Sequence, residues 1–237
     1  MISIRGLTKR YGRLPVLRRV DLDVRSGRVT AVVGPNGAGK TTLIKMILGL
    51  AKPDGGEIVV DDHRVNGDPA YRAIIGYMPQ IARFPENLTG AELIAMLKDL
   101  RGGAAETDDE LVDAFRLGEQ LKKPLGTLSG GTRQKVNAVA AFLFRPKVLI
   151  LDEPTAGLDP VSSSILKDKI LAERARGTTF VLTSHVMSEL DELSDDVAFL
   201  LEGTVCFAGP VAELKQRTRQ HSLERAIARV MAVGEAA

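Results

Sequence analysis

The 237-residue chain is short of several things, and each shortage excludes something. A single cysteine, Cys206, rules out an internal disulfide and a cysteine-built structural metal site, and fits a reducing compartment. Neither sign of charge dominates: 32 Lys plus Arg face 30 Asp plus Glu, a net charge of +2, too weak a field to argue for nucleic acid as the main partner. No long hydrophobic run exists. The most apolar stretch, Val136 to Phe144, holds Asn137 and stops at Arg145, whereas a bilayer span needs about 20 apolar residues. Met1-Ile2-Ser3-Ile4-Arg5 shows no charged leader before an apolar segment, so no signal peptide is expected. Repeats and low-complexity segments are missing too. With 44% apolar and 26% charged residues, the composition is that of a globular chain rather than a disordered or fibrous one.

Glycine is well represented at 23 residues, which points to tight turns or a backbone that comes close to a ligand. Arg5 to Arg10, Val16 to Val24 and Glu57 to Val60 read as short strands, and Arg28 to Val33 as a compact apolar strand running into a glycine-rich turn. Thr41 to Leu50 follows as a helix, with Leu43, Ile44, Met46, Ile47 and Leu50 on its apolar face. Residues 82 to 145 read as mainly helical. Thr89-x-x-Glu92 and Thr107-x-x-Glu110 are two capping boxes there, and Arg101-Gly102-Gly103 is a helix stop between them. From Lys147 the pattern becomes α/β: Val148 to Leu151 and Thr179 to Thr183 are continuous apolar runs suited to a parallel sheet buried on both faces, with a helix from Val161 to Arg174 between them. Val197 to Leu201 and Val205 to Phe207 add strands, and Leu223 to Val233 is a short amphipathic helix.

Gly34-Pro35-Asn36-Gly37-Ala38-Gly39-Lys40-Thr41 fits G-x-x-x-x-G-K-[ST], lies between a predicted strand and a predicted helix, and is followed by Thr42. Glycines there let successive backbone N–H groups point at a phosphate, and the helix adds its positive end. Lys40 reaches the β- and γ-phosphates and Thr41 places a hydroxyl on Mg²⁺. Asp152 and Glu153 close the apolar run Leu149-Ile150-Leu151, at the strand end where an open α/β sheet binds its ligand. Asp152 is the candidate Mg²⁺ holder, and Glu153 is placed to orient or deprotonate a water.

Leu128-Ser129-Gly130-Gly131-Thr132-Arg133-Gln134 narrows the field. With the phosphate loop, Asp152-Glu153, the run Pro154 to Asp159 and His185, it resembles an ABC-type ATPase over about residues 1–210, leaving 211–237 as a short helical extension. The resemblance implies an α/β P-loop core with an antiparallel β subdomain and a helical insert at about 82–145. It implies that Tyr11 stacks on adenine, that Gln80 reaches Mg²⁺ and the attacking water and senses a membrane subunit, and that His185 steadies that water at the γ-phosphate. The nest Ser129-Gly130-Gly131 would cap the nucleotide held by a second copy, in a head-to-tail dimer with Asp159 at the contact. Thr132 departs from the family's usual Gln. Separate permease subunits would hold the chain at the cytoplasmic face of the cell membrane, with no nucleic-acid partner. Thr127 to Ser162 and Thr183 to Leu193 also resemble the ATPase of copper-processing transporters serving nitrous-oxide reductase maturation, which would bring in a periplasmic copper-handling protein. ATPases of drug, lipid and antibiotic exporters share most of these words, and soluble ABC ATPases of DNA repair or translation are a further class. Cargo contact falls to other subunits, since His63 reads as a polar turn and Cys206 as a small buried hydrophobe.

Overall fold

The computed structural model describes residues 1–102 and 106–234. It has two sheets. β1 (Ile2–Tyr11), β2 (Leu14–Val24), β4 (Gly55–Val60) and the short β5 (His63–Arg64) form an antiparallel layer in the order β2-β1-β4-β5. The second sheet has the order β10-β9-β3-β8-β7-β6, built from β3 (Val29–Val33), β6 (Ile75–Met78), β7 (Val148–Asp152), β8 (Thr179–Thr183), β9 (Asp196–Leu201) and β10 (Thr204–Pro210). All its neighbours are parallel except the β9–β10 hairpin.

The period of two along these strands divides the interior. Leu149 and Leu151, Phe180 and Leu182, Val197 and Phe199 face a core shared with the helices. Val148 and Ile150, Val181, Ala198 and Leu200 face the β layer and α1 (Lys40–Ile47). Both faces are buried, which is why the strands read as unbroken apolar runs. α2 (Gly90–Leu100), α3 (Glu110–Ala114) and α4 (Gly130–Phe142) lie between β6 and β7. α5 (Pro160–Ala175) and α6 (Met187–Leu193) follow β7 and β8, and α7 (Val211–Thr218) and α8 (Leu223–Gly234) end the described chain. Leu223, Ala226 and Ile227 of α8 are buried in the helical-side core, so the amphipathic end packs on its own chain.

Four expectations meet corrections or limits. The Thr89 box forms in full, Glu92 returning its carboxylate to the Thr89 amide at 2.8 Å. The Thr107 box does not: Asp108 accepts from the Glu110 amide at 3.1 Å instead, because its carboxylate is held there by buried Lys169. Leu50 lies past the end of α1 and is 62% exposed, the helix having stopped before Gly49 at φ 66°. Cys206 is exposed, not buried: β10 is an edge strand whose register with β9 is irregular between Val205 and Phe207, which pack on the two opposite cores and leave Cys206 facing out. Of the expected stop after α2, Arg101 caps the helix and Gly102 adopts φ 82°, while Gly103 lies outside the described residues. Among the described residues no helix is long and apolar enough to cross a membrane.

Candidate functional site

β3 delivers the chain to Gly34, whose φ of 155° and closeness to β9 leave no room for a side chain: an added Cβ would sit 2.1 Å from the Leu200 carbonyl oxygen. Gly39 does the same at the other end of the loop. It is the N-cap of α1 at φ 104°, and a Cβ there would meet Leu17 at 2.6 Å. With no side chain capping it, the first turn of α1 offers its N–H groups to whatever sits in the loop. Lys40 folds over this loop, Nζ donating to the carbonyls of Gly34 (2.7 Å) and Pro35 (3.1 Å). Partial burial draws its pKa down, and the negative charges of Glu153 and Asp152 oppose that pull without reversing it.

Across from the loop, β7 and β8 end in register, Asp152 beside Thr183. The Thr183 hydroxyl donates to Asp152 Oδ1 at 2.5 Å. Glu153 follows with φ 53°, a left-handed conformation costly for a residue with a side chain, and its N–H donates to both the carbonyl (3.1 Å) and the hydroxyl (3.2 Å) of Thr183. That bend turns the carboxylate toward the cleft. There Oε2 accepts from the His185 backbone N–H at 3.1 Å, and His185 Nε2 stands 3.5 Å from Oε1. Both acids are 8% exposed, whereas the His185 ring is largely open to solvent.

One cleft of about 300 Å³ collects most of the predicted residues: Asn36, Gly37, Ala38, Gly39, Lys40, Thr41 and Thr42 on one wall, with Gln80, Asp152, Glu153 and His185 opposite. Leu14 and Val16 of β2 line it as well. Tyr11 does not; it is half-exposed at the end of β1, paired with Leu14 of β2, with the Lys9 ammonium 5.3 Å from its ring centre. Ser129, Gly130, Gly131 and Asp159 also lie outside the cleft lining. Ser129 is the N-cap of α4, its Oγ accepting from the Thr132 amide at 3.2 Å and sharing a 2.8 Å hydrogen bond with the Thr132 hydroxyl. The threonine that departs from the family pattern therefore fastens the nest serine. Asp159 caps α5 by accepting from the Ser162 hydroxyl (2.6 Å) and amide (2.9 Å), and it pairs with Lys135 at 3.1 Å. Those contacts hold its carboxyl well below the usual range.

Sequence reasoning missed Thr183, Gln134 and Asn137. Thr183 was legible in principle, as the polar residue ending one buried run where Asp152 ends the next. Gln134 and Asn137 carry little local signal, since apart from the bond between them their partners are backbone carbonyls far away in the chain. His63 stays apart, exposed on its hairpin with Nδ1 2.8 Å from the Asp61 carbonyl oxygen.

Known proteins share this arrangement. A family model described as ABC transporter matches residues 17–156, more than half of the chain. The daunorubicin/doxorubicin resistance ATP-binding protein DrrA of Streptomyces peucetius is 39% identical over 219 residues, covering 90% of this chain and 66% of its own length, so this chain spans just under two thirds of that relative. The lantibiotic transport ATP-binding protein SrtF of Streptococcus pyogenes is 31% identical over 205 residues, covering 86% of this chain and 89% of its own. A solved ATP-binding subunit of an ABC transporter superposes with a TM-score of 0.91 at 30% identity, over 98% of this chain and 99% of that one. Matched along a phosphate loop, two strand-end acids and a capped glycine nest, this chain belongs to the ABC transporter family as an ATP-binding cassette, a family of ATPases.

Proposed function

We propose that two copies of this chain bind and hydrolyse ATP with Mg²⁺ to drive a transporter whose membrane-spanning part is a separate polypeptide. The observation that carries this reading is the convergence of Lys40, Asp152, Glu153 and His185 on one cleft with the phosphate loop. The loop amides and Lys40 would take the β- and γ-phosphates. Glu153 would accept the proton of the attacking water at its carboxylate, and His185, 3.5 Å away, would hold that water in line. The oxygen donors of Thr41, Gln80 and Asp152 suit a hard cation: the Thr183 hydroxyl takes up Oδ1 of Asp152 and leaves Oδ2 for the ion. Mg²⁺ held there would neutralise phosphate charge. Tyr11, half-exposed beside the cleft-lining strand, offers its ring to the adenine.

The Ser129 nest supports the two-copy reading. A cleft that already has its own phosphate loop has no use for a second anion nest outside its walls, so the nest of one copy would close the pocket of the other, in an isologous pair with Asp159 at the contact. The chain would then sit at the cytoplasmic face of the cell membrane, docked on permease subunits near Gln80. Relatives that serve antibiotic resistance and lantibiotic transport support an exporter of antibiotic-like compounds. The copper-processing likeness rests on words most of which those exporters share.

Purifying the chain from solubilised membranes tests this reading. A polytopic membrane protein should come out with it, and ATP-dependent phosphate release should be measurable in the complex. Recovery with ribosomes or DNA instead would contradict the transporter reading.

A further inference from the structure

Helix α4 starts at the nest and passes behind both catalytic loops, and two of its buried side chains tie those loops together. Gln134 is 6% and Asn137 2% exposed, on adjacent turns of one helix face. Gln134 Nε2 donates to the Pro154 carbonyl at 3.2 Å and, at 3.4 Å, to the carbonyl of Glu153 itself. Asn137 Nδ2 donates to Gln134 Oε1 at 3.3 Å and to the Pro79 carbonyl at 2.8 Å, one residue before Gln80. The amides run in one direction, from the peptide before Gln80, through Asn137 and Gln134, to the left-handed peptide that aims Glu153. Buried hydrogen bonds in such a chain polarise one another, and the carbonyls of Glu153 and Pro154, both buried, have little access to water if Gln134 is lost.

We infer that Gln134 and Asn137 are positioning residues that make Gln80 and Glu153 move as one unit with the nest at the start of α4. Ser129 caps that helix and Gly131 packs against the Gly157 carbonyl, where an added Cβ would meet the oxygen at 2.9 Å. A shift of α4 on filling its nest would therefore reach Pro79 and Pro154 together, through rigid contacts at both ends. This inference rests on the ATPase reading above and extends it: the filling of one copy's nest would report on the water-activating group of that same copy. Neither residue touches the nucleotide cleft, so their effect would fall on turnover and not on ATP binding.

The test is a double-mutant cycle on the full chain. Asn137→Leu keeps the branched outline of the side chain, at a larger volume, and removes the donors. Its kcat for phosphate release should fall about tenfold, with KM and the ATP dissociation constant within about twofold of wild type. In a Gln80→Ala background the same substitution should cost less than about twofold, because the unit is already broken. Gln134→Met should behave likewise. Should the leucine variant fail to fold, Asn137→Ser, which cannot overfill the site and shortens the donor, takes its place. A folded Asn137 variant with wild-type kcat, or one whose loss multiplies fully with that of Gln80→Ala, would overturn the relay and leave the ATPase reading standing. A wild-type complex that releases no phosphate would bring down that reading, and the relay with it.

Discussion

Glu153→Gln is expected to lower ATP turnover by about 10²–10⁴-fold while leaving ATP binding within about twofold of wild type. The substitution changes charge and basicity but almost no shape. Its backbone keeps the Thr183 contacts that hold φ at 53°, and an amide oxygen at the Oε2 position still accepts from the His185 N–H. Lys40 and the loop amides, which would grip the phosphates, are untouched. Only the proton acceptor is lost. Phosphate release measured beside equilibrium binding of a fluorescent nucleotide separates the two effects. Undiminished turnover would remove Glu153 from its role, whereas lost binding would mean the carboxylate holds the loop together and does no chemistry.

Lys169→Met should cost about 3–5 kcal/mol of stability, a fall of roughly 6–20 °C in Tm for a chain of this size. The Lys169 side chain is 2% exposed and reaches three carboxylates, Asp108 and Glu110 at 2.7 Å and Glu173 at 3.0 Å. Burial pulls its pKa down, but the hydrogen bonds to the three acids outweigh that and leave it raised. For Asp108 burial pushes up, and the bonds from Lys169 and the Glu110 amide win, leaving it lowered. These contacts join the segment ahead of α3 to α5. Methionine fills the space but removes the one buried cation that Asp108 and Glu173 share, leaving them only the half-exposed Arg145, 3.9 Å from Asp108, and Arg176, 2.6 Å from Glu173.

The pH dependence follows from the signs. A depressed Asp108 contributes stability that is present in full above its unfolded pKa, near 4, and is lost as pH falls through its lower folded value. A raised Lys169 contributes stability present below about pH 10 and lost only as pH climbs through its folded value. Between those limits the wild-type cluster is fully formed. In the variant Asp108 loses its main charged partner, and protonating that buried carboxyl relieves the cost, so the Tm gap between wild type and Lys169→Met should narrow from pH 8 toward pH 4. A gap that is small throughout, or that widens in acid, would contradict this account of the cluster.

Much of this was legible in the sequence because the chemistry is local. The phosphate loop needs glycines within eight residues, and the helix caps at Thr89 and Ser129 need partners three residues on. The buried strands announce themselves because both faces of the sheet are covered. What was not legible depends on residues distant in the chain. Thr107 had the right spacing for a box, yet Asp108 took the position because Lys169, on a helix beyond the whole α4–β7 unit, captures its carboxylate. Cys206 sits in an apolar stretch, but its exposure comes from a register irregularity against β9 between Val205 and Phe207, which no local pattern announces. The polar relay of Gln134 and Asn137 has no sequence pattern, since it serves carbonyls that any residue could supply.

The claim on which the account turns is that each copy completes the other's ATP pocket, and sedimentation of the Glu153→Gln chain with and without ATP tests it most directly. ATP should convert the chain from monomer to twice the monomer mass. Adding Gly130→Asp should abolish that conversion: an added Cβ at Gly130 meets nothing within 4 Å, so the fold tolerates the change while a carboxylate occupies the nest. A chain that hydrolysed ATP at full rate while remaining monomeric, or a Gly130→Asp chain that still paired on ATP, would contradict it.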